Sequence, residues 1–148
     1  MRQIAEFLAA LACRVCTGVA LYIRFVEYPA RIECGVEIAA TEFPPSYRRA
    51  SVMQATLAAL GLLFSIAAWL AGAAFWWVIA GALLALVIPF TLIVILPTTK
   101  QLLNPALDRR SPEAEHLLAR WGVLHAVRSA LSALALSLFV YLLVFTKP

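Results

Sequence analysis

The sequence predicts an all-α fold, an integral membrane four-helix bundle with helices at about residues 4–26, 47–73, 75–97 and 112–145. Two observations support this prediction. Of the 148 residues, 64% are hydrophobic and only 14% are charged, whereas soluble domains are about 45–50% apolar and about 25% charged. Four apolar stretches are each long enough to cross a bilayer, which takes about 20 residues. We therefore exclude a soluble enzyme, a nucleic-acid-binding module and a disordered chain, and expect one four-span transmembrane domain over residues 1–148.

The first apolar stretch runs from Phe7 to Ile23 and is interrupted only by Arg14. A segment inside the hydrocarbon core must satisfy its own backbone hydrogen bonds, so this stretch is predicted to be helical. A cleaved signal peptide is the alternative, because Arg2 precedes an apolar run. Glu6 and Arg14 leave only seven residues between them, which is near the lower limit for the apolar part of such a peptide. We expect a retained first helix.

The second and third stretches cover Met53–Ala74 and Phe75–Leu96, and they meet at Ala71–Gly72–Ala73–Ala74 without an intervening charge. A single helix of more than about 40 residues would greatly exceed the thickness of a bilayer. The sequence therefore predicts a tight helical hairpin. Pro89, in the middle of the third stretch, removes one backbone hydrogen bond and predicts a kink.

The connection between the first two helices contains apolar residues at helical spacing: Ile32, Val36, Ala39 and Phe43. This pattern predicts a short helix that lies in the membrane interface, with Pro44 and Pro45 as its end. The fourth helix is predicted to begin at Ser111 and Pro112, a capping residue followed by a proline in the first position. If it continues to Phe145, its ~34 residues rise about 50 Å, so the first turns extend beyond the hydrocarbon core.

The basic residues are distributed unevenly between the two ends of the predicted helices. Those in or beside the two longer connections are Arg24, Arg31, Arg48, Arg49, Lys100, Arg109, Arg110, Arg120 and Arg128. The opposite end carries Arg2 and Lys147. The positive-inside rule then predicts a multi-pass protein of the inner (plasma) membrane, with both connections cytoplasmic and both termini outside. The net charge of +4 indicates this orientation, and no nucleic-acid partner is expected.

The strongest candidate site is one face of the fourth helix, where Trp121, His125, Arg128 and Ser132 follow one another at spacings of four, three and four. A histidine and an arginine one turn apart could supply a base and an anion-binding group. The alternative is an interfacial anchor, with the indole in the aromatic belt and the guanidinium reaching out to water.

Two charged residues near the first helix are further candidates. Arg14 could bind an anion or a substrate oxygen, or it could reach the outer interface or pair with Glu6. Glu27 lies between Arg24 and Arg31, so it could form a local ion pair or provide a carboxylate at the mouth of the bundle.

The cysteines suggest a third and weaker functional alternative, and the histidines predict no metal site. Cys13 and Cys16 form a C-x-x-C inside the first helix, and with Cys34 they suggest quinone-linked disulfide chemistry as a third function. Three cysteines cannot form the two pairs that disulfide exchange would use. A buried free cysteine also usually acts as a small hydrophobic residue. His116 and His125 are nine residues apart and not on one face, so neither a metal site nor a haem is expected.

Three segments carry a resemblance to a known family: Gly18–Arg31, Leu96–Leu103 and Trp121–Arg128, with Tyr47 and Gln54 between them. In order and spacing, the chain resembles the anthrone oxygenase-like integral membrane proteins, whose bacterial members are mostly described as a domain of unknown function. The resemblance implies a four-helix membrane bundle. It also implies oxygenation of an anthrone to an anthraquinone by dioxygen, without a recognised cofactor.

Matched by position, the residues that the resemblance implies for the site are Glu27, Pro97, Thr99, Trp121, His125 and Arg128. The family often has asparagine where this chain has Thr99, so the substrate is expected to differ. We assign His125 as the catalytic base and Arg128 as the group that holds the developing oxyanion. Glu27, Thr99, Trp121 and Arg14 are the predicted substrate-binding residues.

The function predicted from the sequence is cofactor-independent oxygenation of a hydrophobic phenolic or anthrone-like substrate. The expected partners are membrane lipid, this substrate and dioxygen. Close packing at Gly72 and Gly81 is compatible with a homo-oligomer. The alternative is a non-catalytic protein that binds a lipid or hydrophobic metabolite, or a membrane subunit of a larger complex.

Overall fold

The computed structural model describes residues 1–145, and within them it contains helices and turns but no strand. Four helices are long and apolar enough to cross a membrane: α1 at Arg2–Glu33, α2 at Val36–Leu70, α3 at Trp76–Leu102 and α4 at Pro112–Phe145. Each packs against its neighbours along the chain, and α1 also packs against α4. The predicted all-α membrane bundle of four helices is confirmed.

The first connection differs from the prediction. The expected short interfacial helix is absent among the described residues, because α1 continues to Glu33 and α2 already begins at Val36. The turn between them contains Gly35, whose φ of 94° favours glycine. Pro44 and Pro45 do not end a helix but lie inside α2.

The helical path through Pro44 and Pro45 has a physical explanation. Proline has a φ that suits a helix, and its cost of about 3 kcal/mol comes from the lost hydrogen bond and a clash with the preceding turn. Three residues just before the prolines are buried and offset this cost through packing: Ala39, Ala40 and Phe43. An ion pair between Arg31 of α1 and Glu42 of α2 also fixes the segment.

The hairpin between α2 and α3 forms where the sequence predicts it, with Gly72 in the left-handed region at a φ of 94°. The expected distortion near Pro89 is also present. Regular α-helix stops at Leu86, and a π-helical segment follows at Thr91–Ile95. A second π-helical segment interrupts α1 at Ile23–Glu27. Such segments change the direction of the side chains that follow and are frequent at functional sites.

The start of α4 agrees with the prediction. Ser111 precedes the helix, and its Oγ accepts a hydrogen bond from the backbone N–H of Ala114 at 3.2 Å. Glu113 and Glu115 lie in the first turn, where negative charge is favourable. This capped start allows α4 to run without a break to Phe145.

Both connections lie at the same end of the bundle, which we call the connection end. Arg110, just before α4, forms an ion pair of 2.8 Å with Glu37 at the start of α2. The hydrogen bond and the charge of Glu37 raise the pKa of Arg110. Nη1 of Arg109 donates to Oγ1 of Thr41 at 3.2 Å. These contacts agree with the predicted alternation of helix direction.

The interior has two apolar clusters with a polar layer between them. The hairpin-end cluster is rich in small residues and includes Ala9, Cys13, Ala58, Ala68, Trp77, Ala80, Leu84, Ala135 and Phe139. The connection-end cluster includes Ile23, Ala39, Phe43, Ile95, Leu102, Leu118 and Trp121. Buried polar residues outside these clusters include Thr17, Gln54, His125, Arg128, Ser129 and Ser132. Because buried polar groups are costly, this layer is where a site is expected.

Close packing in the hairpin leads to a stability prediction. A Cβ added at Gly81 of α3 would lie 2.7 Å from Cβ of Ser65 and 3.1 Å from Cα of Leu62, both on α2. We expect Gly81→Ala to lower the free energy of unfolding by about 1–3 kcal/mol through overpacking. Thermal unfolding in detergent would measure it. The control is Gly18→Ala, where the added Cβ meets no atom within 4 Å; equal melting temperatures for the two variants would contradict the prediction.

Candidate functional site

A cavity of about 320 Å³ lies between the four helices in the connection-end half of the bundle. Its walls are largely apolar and include Ile23, Phe43, Ala50, Val52, Ala55, Val87, Ile88, Leu92 and Ile95. Its polar residues are Glu27, Arg31, Ser46, Tyr47, Ser51, Gln54, Thr91, Trp121, His125 and Arg128. An apolar cavity of this size with a few convergent polar groups is typical of a small-molecule site.

Three of the four residues predicted on one face of α4 form a wall of this cavity, whereas buried Ser132 does not line it. Trp121, His125 and Arg128 are all buried, and His125 is only 3% exposed. The Trp121 and His125 rings stack, with centroids 4.8 Å apart and planes inclined by 24°. An interfacial anchor would hold these side chains at the lipid surface, so their burial favours the site interpretation.

Arg128 is held by a residue from a different helix. Its Nη1 donates a hydrogen bond to Oε1 of Gln54 on α2. Nε of Arg128 and Nε1 of Trp121 are buried and have no hydrogen-bond partner. An unpaired buried donor costs about 1–3 kcal/mol, so both groups would gain from an oxygen acceptor in the cavity that they border.

The tautomer of His125 can be assigned from its contact with Ser129. The Oγ of Ser129 lies 2.8 Å from the carbonyl oxygen of His125 and 3.4 Å from Nδ1 of the same residue. A hydroxyl has one hydrogen, and at the shorter distance the carbonyl receives it. The hydroxyl oxygen can then accept from Nδ1–H, and we assign His125 this tautomer, with Nε2 unprotonated.

Glu27 is part of an ion-pair network at the connection end of the cavity. Its carboxylate accepts hydrogen bonds from Arg31 and, at 2.7 Å, from Oγ of Ser46. Arg31 also pairs with Glu42 and donates to Ser46 at 3.0 Å. The π-helical segment that ends at Glu27 places these groups beside the cavity. Both the ion pair and the position at the mouth of the bundle are therefore present.

Two of the residues predicted to bind substrate, Arg14 and Thr99, lie away from the cavity. Arg14 is exposed on the outer surface of α1, and Thr99 is fully buried with no hydrogen-bond partner for its Oγ1. Neither residue lines the cavity. Arg14 points outward because α1 packs through its other face, which carries Cys13 and Thr17. Substrate binding by Arg14 or Thr99 stays a prediction without support from this geometry.

The comparison with family models now decides the family. Residues 43–138, well over half of the chain, match the model for anthrone oxygenase. The chain belongs to the anthrone oxygenase family. No curated protein and no solved structure matches the chain. The resemblance seen in the sequence is thereby confirmed at the level of the family, and the matched segment contains Gln54, Trp121, His125 and Arg128.

Three features of this anthrone oxygenase family site were missed by reasoning from residue chemistry. Gln54 was named only as part of the family resemblance. A single amide side chain in an apolar membrane-spanning stretch could itself have indicated a functional residue. Arg31 was considered as an ion-pair partner and as an orientation charge, but not as a residue of the site, and it lines the cavity. The π-helical segments at Ile23–Glu27 and Thr91–Ile95 had no sequence signal apart from the nearby Pro89.

The cysteines of this family member do not form a redox pair in the structure. Cys13 and Cys16 are free thiols buried in the bundle, whereas Cys34 is exposed. Cys34 directly follows α1, 18 residues beyond Cys16, which corresponds to roughly 27 Å of helical rise. Among residues 1–145, no three histidine, cysteine or acidic side chains are grouped so that they could hold a metal ion.

Proposed function

We propose that the protein oxygenates a hydrophobic phenolic, anthrone-like substrate with dioxygen inside the cavity. The observation that carries this proposal is the environment of His125. It lies in an apolar cavity beside two buried N–H donors, on Trp121 and Arg128, that have no partner within the described chain. A base next to unsatisfied donors is the arrangement that an enolate-forming reaction requires.

The proposed reaction begins when Nε2 of His125 removes a proton from the substrate, which becomes an enolate. The enolate transfers one electron to dioxygen, and the resulting radical and superoxide combine to form a carbon-bound peroxide. The proton on His125 returns to the peroxide, and loss of water with the second methylene hydrogen leaves a carbonyl. One oxygen atom enters the quinone and the other leaves as water. No separate cofactor is needed, because the enolate itself reduces dioxygen.

The protein groups act on the charge that develops during this reaction. The Arg128 guanidinium and the Trp121 N–H stabilise the enolate oxygen, in a cavity where little water weakens the interaction. Gln54 fixes the guanidinium from the opposite wall. The apolar residues admit an aromatic ring system together with dioxygen, since both concentrate in lipid. Glu27 positions Arg31 at the connection end.

We also place the protein in the inner membrane, with the connection end in the cytoplasm. The support is the concentration of arginine and lysine at that end, combined with the positive-inside rule. Tagging each connection and each terminus with a reporter of membrane side would test this orientation. A connection located outside the cell would overturn it.

Oxygen uptake by the purified protein, reconstituted in lipid, would test the proposed activity. With an anthrone as substrate, we expect consumption of one dioxygen for each anthraquinone formed, faster than in protein-free vesicles. Anthrone binding without faster uptake would overturn the catalytic proposal and favour the alternative of a non-catalytic protein that binds hydrophobic metabolites.

The tautomer assigned to His125 leads to a prediction for Ser129. We expect Ser129→Ala to lower kcat by about 10- to 100-fold with little change in KM, because the base is no longer oriented. Ser129→Thr retains the hydroxyl and should restore part of the rate. The control is Ser137→Ala, an exposed serine of the same helix whose Oγ also donates to a backbone carbonyl. Equal kinetics for the two alanine variants would contradict the assignment.

A further inference from the structure

The cavity reaches the lipid-facing surface of the bundle on one side. Val52 of α2 and Leu92 of α3 both line the cavity, yet they are 69% and 57% exposed. Ala55, one turn beyond Val52, also lines the cavity and is exposed. A residue that is exposed on the outer surface of the bundle and also lines the cavity must lie where the cavity opens to that surface. This opening is therefore between α2 and α3.

The geometry of the hairpin explains why the two helices separate here. Near the turn they are in close contact, with Ser65 against Gly81. Farther from the turn, α3 leaves regular α-helical geometry at Leu86 and enters the π-helical segment Thr91–Ile95. The cavity occupies the space between this irregular part of α3 and the facing turns of α2.

The α3 side of the opening is apolar, whereas on the α2 side the exposed Arg48 lies one turn before Val52. Ile93, which follows Leu92 in the chain, is an exposed hydrophobic residue. Leu92 precedes Lys100 by eight residues, a helical rise of about 12 Å. If the exposed Arg48 and Lys100 lie at the membrane interface, the opening extends inward from it toward the acyl chains. A molecule that enters through it then need not cross the aqueous phase.

We propose that the gap between Val52 and Leu92 is a lateral portal through which an apolar, planar aromatic substrate enters the cavity directly from the lipid. This proposal rests on the proposed function for the choice of substrate. The main competing route is a groove of about 580 Å³ between α1 and α2. That groove also has apolar walls, but it carries the exposed charges of Glu42 and Arg49, which do not line the cavity. An apolar ring system would have to pass these charges, and displacing their water is costly.

Binding kinetics in lipid nanodiscs would test the portal without requiring turnover. The probe is a hydroxyanthraquinone, followed by its own absorbance after rapid mixing with ligand-loaded vesicles. We expect Val52→Trp and Leu92→Trp to lower the association and dissociation rates together by about tenfold, so that Kd is nearly unchanged. Leu92→Ala should raise both rates. A residue that merely contacted the bound ligand would instead change Kd.

Two controls separate the outcomes. Ile93→Trp adds the same bulk at a neighbouring residue that is 73% exposed and does not line the cavity, and it should leave both rates unchanged. Met53→Trp adds bulk to the competing groove. Slower binding in Met53→Trp with normal rates in the portal variants would overturn the proposal. If the portal variants slow binding while the unmodified protein consumes no oxygen, the portal stands and the proposed reaction fails.

Discussion

Replacing His125 with alanine is expected to lower the turnover of an anthrone substrate by about 10²- to 10⁴-fold, the usual contribution of a positioned general base. The substrate then loses the imidazole as its proton acceptor, and the Glu27 carboxylate that also lines the cavity is already engaged by Arg31 and Ser46. Oxygen uptake by the reconstituted variant, corrected for uptake in protein-free vesicles, measures the effect. Binding of a hydroxyanthraquinone should persist, because the apolar walls are unchanged.

A second histidine on the same helix provides the matched control. His116 is exposed and does not line the cavity, so His116→Ala should retain the rate of the unmodified protein. If His125→Ala consumes oxygen as fast as His116→Ala, the base has been assigned wrongly. Melting temperatures of both variants would show whether a loss of rate reflects a loss of structure.

Replacing Arg128 with alanine is expected to lower kcat/KM by about 10²- to 10³-fold, the effect of removing a donor that stabilises an oxyanion. The substitution also leaves Oε1 of Gln54 without its partner. An unsatisfied buried group costs about 1–3 kcal/mol, so thermal stability should fall as well. Steady-state oxygen uptake and thermal unfolding in the same detergent would measure the two effects.

Two further variants separate the catalytic effect of Arg128 from the structural one. Gln54→Leu removes the hydrogen-bond acceptor but retains the guanidinium, so it should reduce the rate less than Arg128→Ala does. Arg120→Ala removes an exposed arginine of α4 that does not line the cavity, and its rate should be normal. Reduced stability of Arg128→Ala with a normal rate would restrict this residue to a structural role.

The bundle could be predicted from the sequence because the membrane imposes a simple requirement. A segment that crosses the hydrocarbon core must be helical and must have about 20 apolar residues. The candidate site on α4 could be predicted for a similar reason. The helical repeat places Trp121, His125 and Arg128 on one face, independently of tertiary contacts. The structure then adds their shared cavity.

The first connection and the opposite walls of the cavity depend on tertiary contacts, which a local pattern does not contain. The sequence predicted that Pro44 and Pro45 end a helix. In the structure, the buried Phe43 and the ion pair between Arg31 and Glu42 stabilise a helix through this segment. The partnership of Gln54 with Arg128 joins residues 74 positions apart. Arg14 failed to reach the cavity because the rotation of α1 about its axis is set by packing, which composition does not reveal.

The separation of the interior into two apolar clusters has an evolutionary consequence. The hairpin-end cluster shares Val87 with the cavity wall, but most of its members lie outside that wall. Substitutions around the cavity would then alter substrate choice while insertion and assembly continue as before. A relative with different cavity walls and a similar alanine-rich end would be expected to fold alike and act on another molecule. In such a fold, selection for membrane assembly and selection for chemistry act on different ends of the same four helices.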